Sequence, residues 1–164
     1  MCDNCRDDNG NGLIDAEDPA CCTAEPLTFT QARFRPGKST LRATATLADG
    51  AFAGVDPRVD QVRVQIRTAS GEQVCCGIPT DRWQRLFGQT FGFFDQKMTL
   101  CPPLRCVKLT VPKKGPAKTT VIVGRVKPGS QLLTPAEVTI DAGGQCASGQ
   151  LTLRPEGKRG AVFP

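Results

Sequence analysis

Residues 7–18 carry oxygen-bearing side chains at the intervals of a twelve-residue calcium loop. The segment reads D-D-N-G-N-G-L-I-D-A-E-D, with Gly12 at its sixth position and Ile14 at its eighth. A Ca²⁺ ion takes six to eight oxygen ligands at about 2.3–2.6 Å, and alternate residues of a tight loop can direct oxygens to one point. The spacing therefore predicts a Ca²⁺ site. Its ligands would be Asp7, Asn9, Asn11, the Leu13 carbonyl, Asp15 and Asp18.

The twelfth position of the loop departs from the usual pattern. Asp18 stands where a bidentate Glu is common. A shorter carboxylate, combined with two Asn ligands, predicts weak affinity in the range of extracellular modules. The alternative interpretation is a solvated acidic turn, because Asn, Asp and Gly are favoured turn residues by themselves.

Four cysteines flank the loop, namely Cys2, Cys5, Cys21 and Cys22. The segment resembles the calcium loops of thrombospondin type-3 repeats and dockerins, and it is similar to segments that precede a β-domain in secreted bacterial proteins. The resemblance covers about the first 22 residues. It implies a calcium-stabilised secreted module and no activity. A zinc site is a less favoured alternative, because adjacent cysteines cannot easily offer both sulfurs to one tetrahedral ion.

Nine cysteines in 164 residues indicate an oxidising compartment, so we expect an extracellular protein. Cys101 and Cys106 flank a turn-like Pro-Pro-Leu-Arg span, so we expect a disulfide between them. We also expect Cys2 and Cys5 to pair with Cys21 and Cys22, and either Cys75 or Cys76 to pair with Cys146, strand parity favouring Cys76. Because nine is odd, at least one thiol is free or bonded to another chain.

The net charge of +5 hides an uneven distribution. Residues 1–25 carry seven acids and one base, whereas the rest of the chain carries 20 bases and nine acids. One interpretation is that calcium offsets the acidic end and that the bases form a solvated face. The other is head-to-tail self-association, in which the acidic segment of one copy contacts the basic body of the next. Nucleic-acid binding is not expected, because few aromatic residues lie among the bases.

The chain from residue 27 onward predicts β-strands. Apolar and polar residues alternate over 41–47, 62–67, 107–111, 137–141 and 151–154, so each strand should have one solvated face. Residues 119–126 are apolar on both faces, as in a central strand. Residues 81–86 are the best candidate for a short helix, although Trp83 could equally start a strand. Gly- and Pro-containing turns separate these segments.

Seven to nine short strands predict an all-β chain, namely an antiparallel β-sandwich of immunoglobulin-like type with a small disulfide-braced calcium loop at its N-terminus. We assign residues 1–25 to the loop segment and 26–164 to the sandwich domain. The stretch G-x-x-x-C-x-x-I-P from Gly71 to Pro79 resembles repeated β-domains of secreted bacterial proteins, which imply no function. No run of 18 apolar residues predicts a transmembrane helix, and any secretion signal would already have been removed.

Four phenylalanines lie close together in the sequence: Phe87, Phe91, Phe93 and Phe94. We interpret them chiefly as core packing, with an aromatic ligand-binding surface as the alternative. Catalysis is not expected, because the chain has no His and no Tyr, and a cysteine nucleophile would have no evident base.

These observations favour a secreted structural or adhesive module with Ca²⁺ as its only cofactor, plausibly a subunit of an extracellular filament or surface assembly. A glycan or cell-surface partner is a further expectation. The alternatives are a carbohydrate-binding module of a secreted protein, and a non-catalytic fragment of a secreted glycosidase.

Overall fold

The computed structural model describes residues 5–18, 20–155 and 161–162, and these residues form β-strands and short 3-10 helices without an α-helix. The strands are β1 (Glu25–Arg35), β2 (Thr40–Asp49), β3 (Val62–Thr68), β4 (Gly71–Ile78), β5 (Trp83–Phe87), β6 (Thr90–Phe94), β7 (Leu104–Thr110), β8 (Pro116–Val123), β9 (Ala136–Ala142), β10 (Gln145–Leu151), β11 (Arg154–Pro155) and β12 (Ala161–Val162). The 3-10 helices are Asp15–Glu17, Pro36–Lys38, Thr80–Arg82 and Gln131–Leu133.

The prediction of an all-β chain is confirmed. In β2, residues at every second position are buried, beginning with Leu41 and ending with Leu47. This is the two-residue period of a strand with one face on the core. β8 lies between β2 and β7, as expected for a central strand. Trp83 begins a strand after a single 3-10 turn, so the strand alternative for residues 81–86 is confirmed.

The strands form one curled sheet in the order β4-β3-β9-β10-β1-β2-β8-β7-β6-β5. One neighbouring pair differs from the antiparallel arrangement that we predicted. β1 starts parallel to β10, with Glu25 opposite Ala147 and Pro26 opposite Ser148, and from Leu27 onward it runs antiparallel to β2. The sheet is therefore mixed.

Gly149 of β10 allows the start of β1 to lie beside β10 before β1 pairs with β2. A Cβ atom built on Gly149 would overlap the backbone carbonyl oxygen of Leu27. Only a residue without a side chain lets the two backbones approach so closely. The parallel contact between β10 and β1 therefore depends on a glycine that the alternation pattern does not single out.

The inner surface of the curled sheet is filled by one cluster of buried apolar side chains. Phe52, Phe91 and Phe93 are among the largest of them, with 0–2% of their surface exposed. Phe52 comes from the β2–β3 connection, and its backbone N–H donates to the Gln145 side chain at 2.7 Å. The β2–β3 connection therefore helps to close one end of the core.

Candidate functional site

The Asp7 carboxylate organises the N-terminal loop by accepting hydrogen bonds from three backbone N–H groups. Its Oδ1 accepts from Gly10 at 2.7 Å and from Asn11 at 3.2 Å, and its Oδ2 accepts from Gly12 at 2.7 Å. Gly10 and Gly12 have φ angles of 75° and 82°, a region that glycine enters without steric cost. The loop wraps around Asp7 because these two positions are glycine.

The Asp18 carboxylate joins the two Asn side chains of the loop. The side-chain amides of Asn9 and Asn11 donate to Oδ2 of Asp18 at 2.7 and 3.1 Å, and the Ala20 N–H donates to Oδ1 at 2.8 Å. The Ala20 N–H is the largest cause of the lowered pKa of Asp18, and the two amides add to it. Each of these bonds favours the ionised carboxylate. The structure thus brings Asn9, Asn11 and Asp18 into direct contact.

Asp15, the ninth residue of the predicted loop, has its contacts elsewhere. It has a φ of 49°, and its Oδ2 accepts a hydrogen bond from the Cys5 N–H at 2.7 Å. The same oxygen lies 3.5 Å from Nη1 of Arg63, and no part of the Asp15 side chain is exposed. Arg63 in turn lies 3.6 Å from Asp141. Asp15 therefore contributes to an ion-pair cluster between the loop segment and the sheet.

The outer face of β3 receives the loop segment. Gln65 donates from Nε2 to the Ile14 carbonyl at 2.9 Å, and Arg67 donates to the Gly12 carbonyl at 3.2 Å. Arg63 and Gln65 are 4% and 0% exposed. We predicted a solvated face for residues 62–67, and this is wrong for these two side chains. Alternation located the polar face correctly, but the N-terminal segment covers it.

The carboxylates of Glu17 and Glu72 interact where the loop segment packs against the sheet. Glu17 lies 3.3 Å from Nε of Arg67, with 1% of its side chain exposed, and it interacts with Glu72 of β4. Burial, followed by the charge of Glu17, raises the pKa of Glu72 to about 8. Burial also raises the pKa of Glu17, against the opposing charge of Arg67. A carboxyl group that keeps its proton near neutral pH could act as a general acid. However, the oxygens of both groups are inaccessible, so no substrate reaches them in this arrangement.

The Asp141 carboxyl group has a raised pKa for the same main reason. Burial raises it to about 6, the Arg63 guanidinium opposes that rise, and the Asp15 charge adds to it. The sequence did not predict Glu72 or Asp141 as site residues, because each is an isolated acid on a strand. The signal that could have found them is their position on the polar face of β4 and β9, next to strand β3.

Disulfides attach the loop segment to the sheet. Cys5 bonds to Cys75, Cys22 to Cys146, and Cys76 to Cys101, while Cys21 is also disulfide-bonded. Our expectation that most cysteines are oxidised therefore holds. The expected partners of Cys5, Cys22 and Cys146 are wrong, because Cys5 and Cys22 bond to the sheet rather than across the loop, and Cys146 does not pair with Cys75 or Cys76. Cys2 lies outside the described residues.

The Cys101–Cys106 bond that we expected is also absent. Cys101 pairs with Cys76, and Cys106 is a buried free thiol of β7. Burial raises the pKa of Cys106, although Lys108, Arg42 and Arg105 oppose this shift. The odd cysteine count thus correctly predicted a free thiol, but burial makes Cys106 a poor candidate for a bond between chains.

One group of potential metal ligands combines Cys5, Asp15 and Cys75. Its two sulfurs are bonded to each other, so neither is available as a thiolate ligand. Cys22 is likewise bonded to Cys146, and Cys21 is oxidised. These bonds leave the zinc alternative without the sulfur ligands that it requires.

The phenylalanine cluster divides into two pairs. Phe91 and Phe93 are each 2% exposed and belong to the core, as we favoured, whereas Phe87 and Phe94 are 72% and 41% exposed. Trp83 is 5% exposed and packs near Phe93, with ring centroids 6.3 Å apart. The largest aromatic side chain is therefore not presented to a ligand.

Within residues 5–18, 20–155 and 161–162, no helix is long and apolar enough to cross a bilayer. Comparisons of the chain with family models, with curated proteins and with solved structures found no match.

Proposed function

We propose that this chain is a secreted structural or adhesive β-module whose N-terminal loop binds Ca²⁺ and is held on the outer face of the sheet. In this proposal the ion and the disulfides stabilise one rigid unit for use outside the cell. The disulfides and the all-β fold agree with an oxidising extracellular compartment.

The observation that carries the proposal is the contrast between the two sides of the loop segment. On the side of the sheet, Asp15 and Glu17 meet Arg63 and Arg67. On the other side, Asp7, Asn9, Asn11 and Asp18 form a separate oxygen-rich group held by internal hydrogen bonds. Within one twelve-residue segment, the acids that contact the sheet are therefore different residues from the group that we propose as Ca²⁺ ligands.

The donor set of the loop fits a hard cation. Asp7 and Asp18 offer carboxylate oxygens, Asn9 and Asn11 offer amide oxygens, and Leu13 would add its carbonyl, so every ligand is oxygen. Bound Ca²⁺ would supply positive charge to the two carboxylates, which here accept only N–H donors. Among the ligands predicted from spacing, Asp15 is the one whose ion pair with Arg63 competes with such a role.

The test is thermal unfolding with excess Ca²⁺ and with chelator. A ligand that binds only the folded state raises its stability by RT ln(1 + [L]/Kd), about 2.7 kcal/mol at 100 times the dissociation constant. For a chain of this size we expect a rise in Tm of roughly 5–10 °C at that concentration. Mg²⁺ should give a smaller rise, because it demands a more rigid octahedral site.

Matched variants locate the site. Asp7→Asn and Asp18→Asn should abolish most of the Ca²⁺-dependent rise in Tm, since each removes a carboxylate ligand. Asp8→Asn is the control, because it removes the same charge at the second loop position, outside the ligand pattern. A rise in Tm that survives in both ligand variants, or no rise in the unmodified protein, would contradict the calcium proposal.

The carbohydrate-binding alternative keeps some support from the exposed rings of Phe87 and Phe94. The buried position of Trp83 weakens it. Binding to an array of neutral glycans would favour this alternative over a purely structural role. For a non-catalytic fragment of a secreted glycosidase we find no supporting observation among the described residues.

Head-to-tail self-association stays a prediction. Three acids of the N-terminal segment, Asp15, Glu17 and Asp18, are buried within the same chain, which reduces the charge left for a neighbouring copy. Light scattering at low salt, with Ca²⁺, tests this directly. The immunoglobulin-like sandwich also stays a prediction, to be tested by an experimental structure.

A further inference from the structure

We propose that the outer face of strands β1, β2, β8, β7 and β6 is a binding groove for an acidic polysaccharide. The groove encloses about 890 Å³. Among the described residues that line it, six are cations and none is an acid, the cations being Arg33, Arg35, Lys38, Arg42, Arg105 and Lys108. The class of partner rests on the proposed extracellular role, which places the chain where such polymers occur.

The strand register concentrates charge at one edge of the groove. Arg33 of β1 is directly opposite Arg42 of β2, and Arg42 is opposite Ile122 of β8. Like charges directly opposite each other on neighbouring strands destabilise a sheet. Arg35 and Lys38 lie at the same edge and are exposed, as are Arg33 and Arg42. The fold therefore keeps an unfavourable group of charges that an anionic ligand would neutralise.

Among the described residues, no acid pairs with these cations. The ion pairs among the residues that the structure describes use Arg58, Arg63 and Arg67, and none uses a cation of the groove. At the opposite edge, Arg105 donates to the side-chain oxygen Oε1 of Gln96, and Lys108 lies 5.9 Å from the ring centroid of Phe94. The six cations therefore have no described acid as a partner, and the contacts of Arg105 and Lys108 with neutral groups leave their charges uncompensated.

The width of the groove favours a polymer over a single small anion. Arg42 and the β7 residues Arg105 and Lys108 are separated by strand β8, which is two strand spacings or roughly 10 Å. One carboxylate or sulfate can neutralise only part of this row of cations, whereas a chain with repeated acidic groups can contact cations on several strands. Arginine suits such groups, because its guanidinium forms paired hydrogen bonds to planar or tetrahedral oxyanions.

The other lining residues fit sugar units. Thr30, Gln31, Thr40 and Thr44 offer hydroxyl and amide groups to sugar hydroxyls. Phe94, 41% exposed, offers a ring to the face of a sugar. Single-stranded nucleic acid would require several stacking aromatics, and among the described lining residues Phe94 is the only aromatic. A second copy of this chain is a poorer occupant, since Asp15, Glu17 and Asp18 are buried in each copy.

Affinity chromatography and titration with defined polymers test the proposal. The probes are heparin for sulfate groups, polygalacturonate for carboxylates, neutral dextran, and single-stranded DNA. We expect retention on one or both acidic polysaccharides that weakens as salt rises, and none on dextran. The preferred acidic probe identifies the group that the groove favours. No retention at low salt, or tighter binding to DNA than to either polysaccharide, would overturn the proposal.

Charge-matched variants separate the groove from general attraction. Arg33→Gln with Arg42→Gln should weaken binding by about tenfold or more, because two charge-assisted contacts are lost. Lys113→Gln with Lys114→Gln removes the same charge from the exposed β7–β8 turn and should change affinity by less than about twofold. Equal losses in the two double variants would contradict a specific groove.

Two further measurements distinguish loss of folding from loss of binding, and failure of the groove proposal from failure of the calcium proposal. If the Arg33 and Arg42 variant does not fold, Arg35→Gln with Lys38→Gln tests the same edge at exposed positions. The Ca²⁺-dependent rise in Tm should persist in every groove variant. In the unmodified protein, a Ca²⁺ effect without polysaccharide binding rejects only the groove, whereas polysaccharide binding without any Ca²⁺ effect rejects only the calcium loop.

Discussion

The Asp15 carboxylate lies 3.5 Å from the guanidinium of Arg63, and both side chains are at least 95% buried. A second carboxylate, that of Asp141, lies 3.6 Å from the same guanidinium. Burying three charges costs free energy that their mutual attraction must offset. The cluster joins the N-terminal segment, β3 and β9, so this attraction also fixes the position of the loop segment on the sheet.

Arg63→Met should destabilise the protein by roughly 3–5 kcal/mol, because the buried Asp15 carboxylate and the partly buried Asp141 carboxylate would both lose the Arg63 guanidinium. Urea unfolding followed by fluorescence of Trp83 measures the change. Arg58→Met is the matched control. The Arg58–Asp56 pair is closer, at 2.7 Å, but its side chains are 43% and 30% exposed, so its loss should cost about 1 kcal/mol or less. Equal losses would contradict the central role of the buried cluster.

Asp15→Asn should separate structural support from metal binding. The variant weakens the contact with Arg63, so we expect a lower Tm both with Ca²⁺ and with chelator. Because Asp7 and Asp18 are unchanged, calorimetry should give a Ca²⁺ affinity within about threefold of the original value. An affinity loss as large as that of Asp18→Asn would show that Asp15 leaves Arg63 and serves as a ligand.

Replacing Cys22 and Cys146 by Ala should destabilise the protein by roughly 4–5 kcal/mol, because the lost disulfide closes a loop with a sequence separation of 124 residues. Denaturant unfolding of the oxidised protein provides the measurement. Non-reducing peptide mapping checks the assignment independently. A Cys22 peptide linked to any cysteine other than Cys146 would contradict the connectivity described above.

The Cys106 thiol should resist alkylation in the folded protein and react readily after unfolding. It is 4% exposed, and burial raises its pKa, so little reactive thiolate is available. Mass spectrometry after a pulse of iodoacetamide, with and without denaturant, makes the comparison. Rapid labelling of Cys106 in the native state would place this thiol at an accessible surface instead.

Stability should fall as pH rises from about 4.5 to about 8, because Glu72 binds its proton more tightly in the folded state than in the unfolded chain. The folded state then holds more protons across this window, and its advantage is fully lost above pH 8. Glu72→Gln keeps a neutral group at this position, so it should flatten the slope and raise Tm at high pH relative to the unmodified protein.

Measurements of Tm between roughly pH 6.5 and 9 isolate this effect from Asp141, whose pKa is raised only to about 6. Asp95→Asn serves as a control, because Asp95 has a lowered pKa and belongs to an exposed turn. An unchanged slope in Glu72→Gln would show that the Glu17 interaction does not hold a proton.

Several features of this protein could be read from nearby residues. The two-residue alternation of β2, from Leu41 to Leu47, predicted both its strand and its core face. The order of Asp7, Gly10 and Gly12 predicted a tight acidic loop, and their hydrogen bonds span only three to five residues. These interactions are local, so the residue types along a short segment decide them.

Contacts between residues that are distant in the sequence could not be predicted from short sequence segments. The bonds of Cys5 to Cys75 and of Cys22 to Cys146, the burial of Arg63 under the N-terminal segment, and the parallel contact at Gly149 all join distant parts of the chain. Sequence showed that β3 has a polar face, and only the tertiary structure decided that Asp15 rather than water would cover it. The reason is physical: alternation fixes which side chains share a face, whereas the packing of the whole chain determines what that face meets.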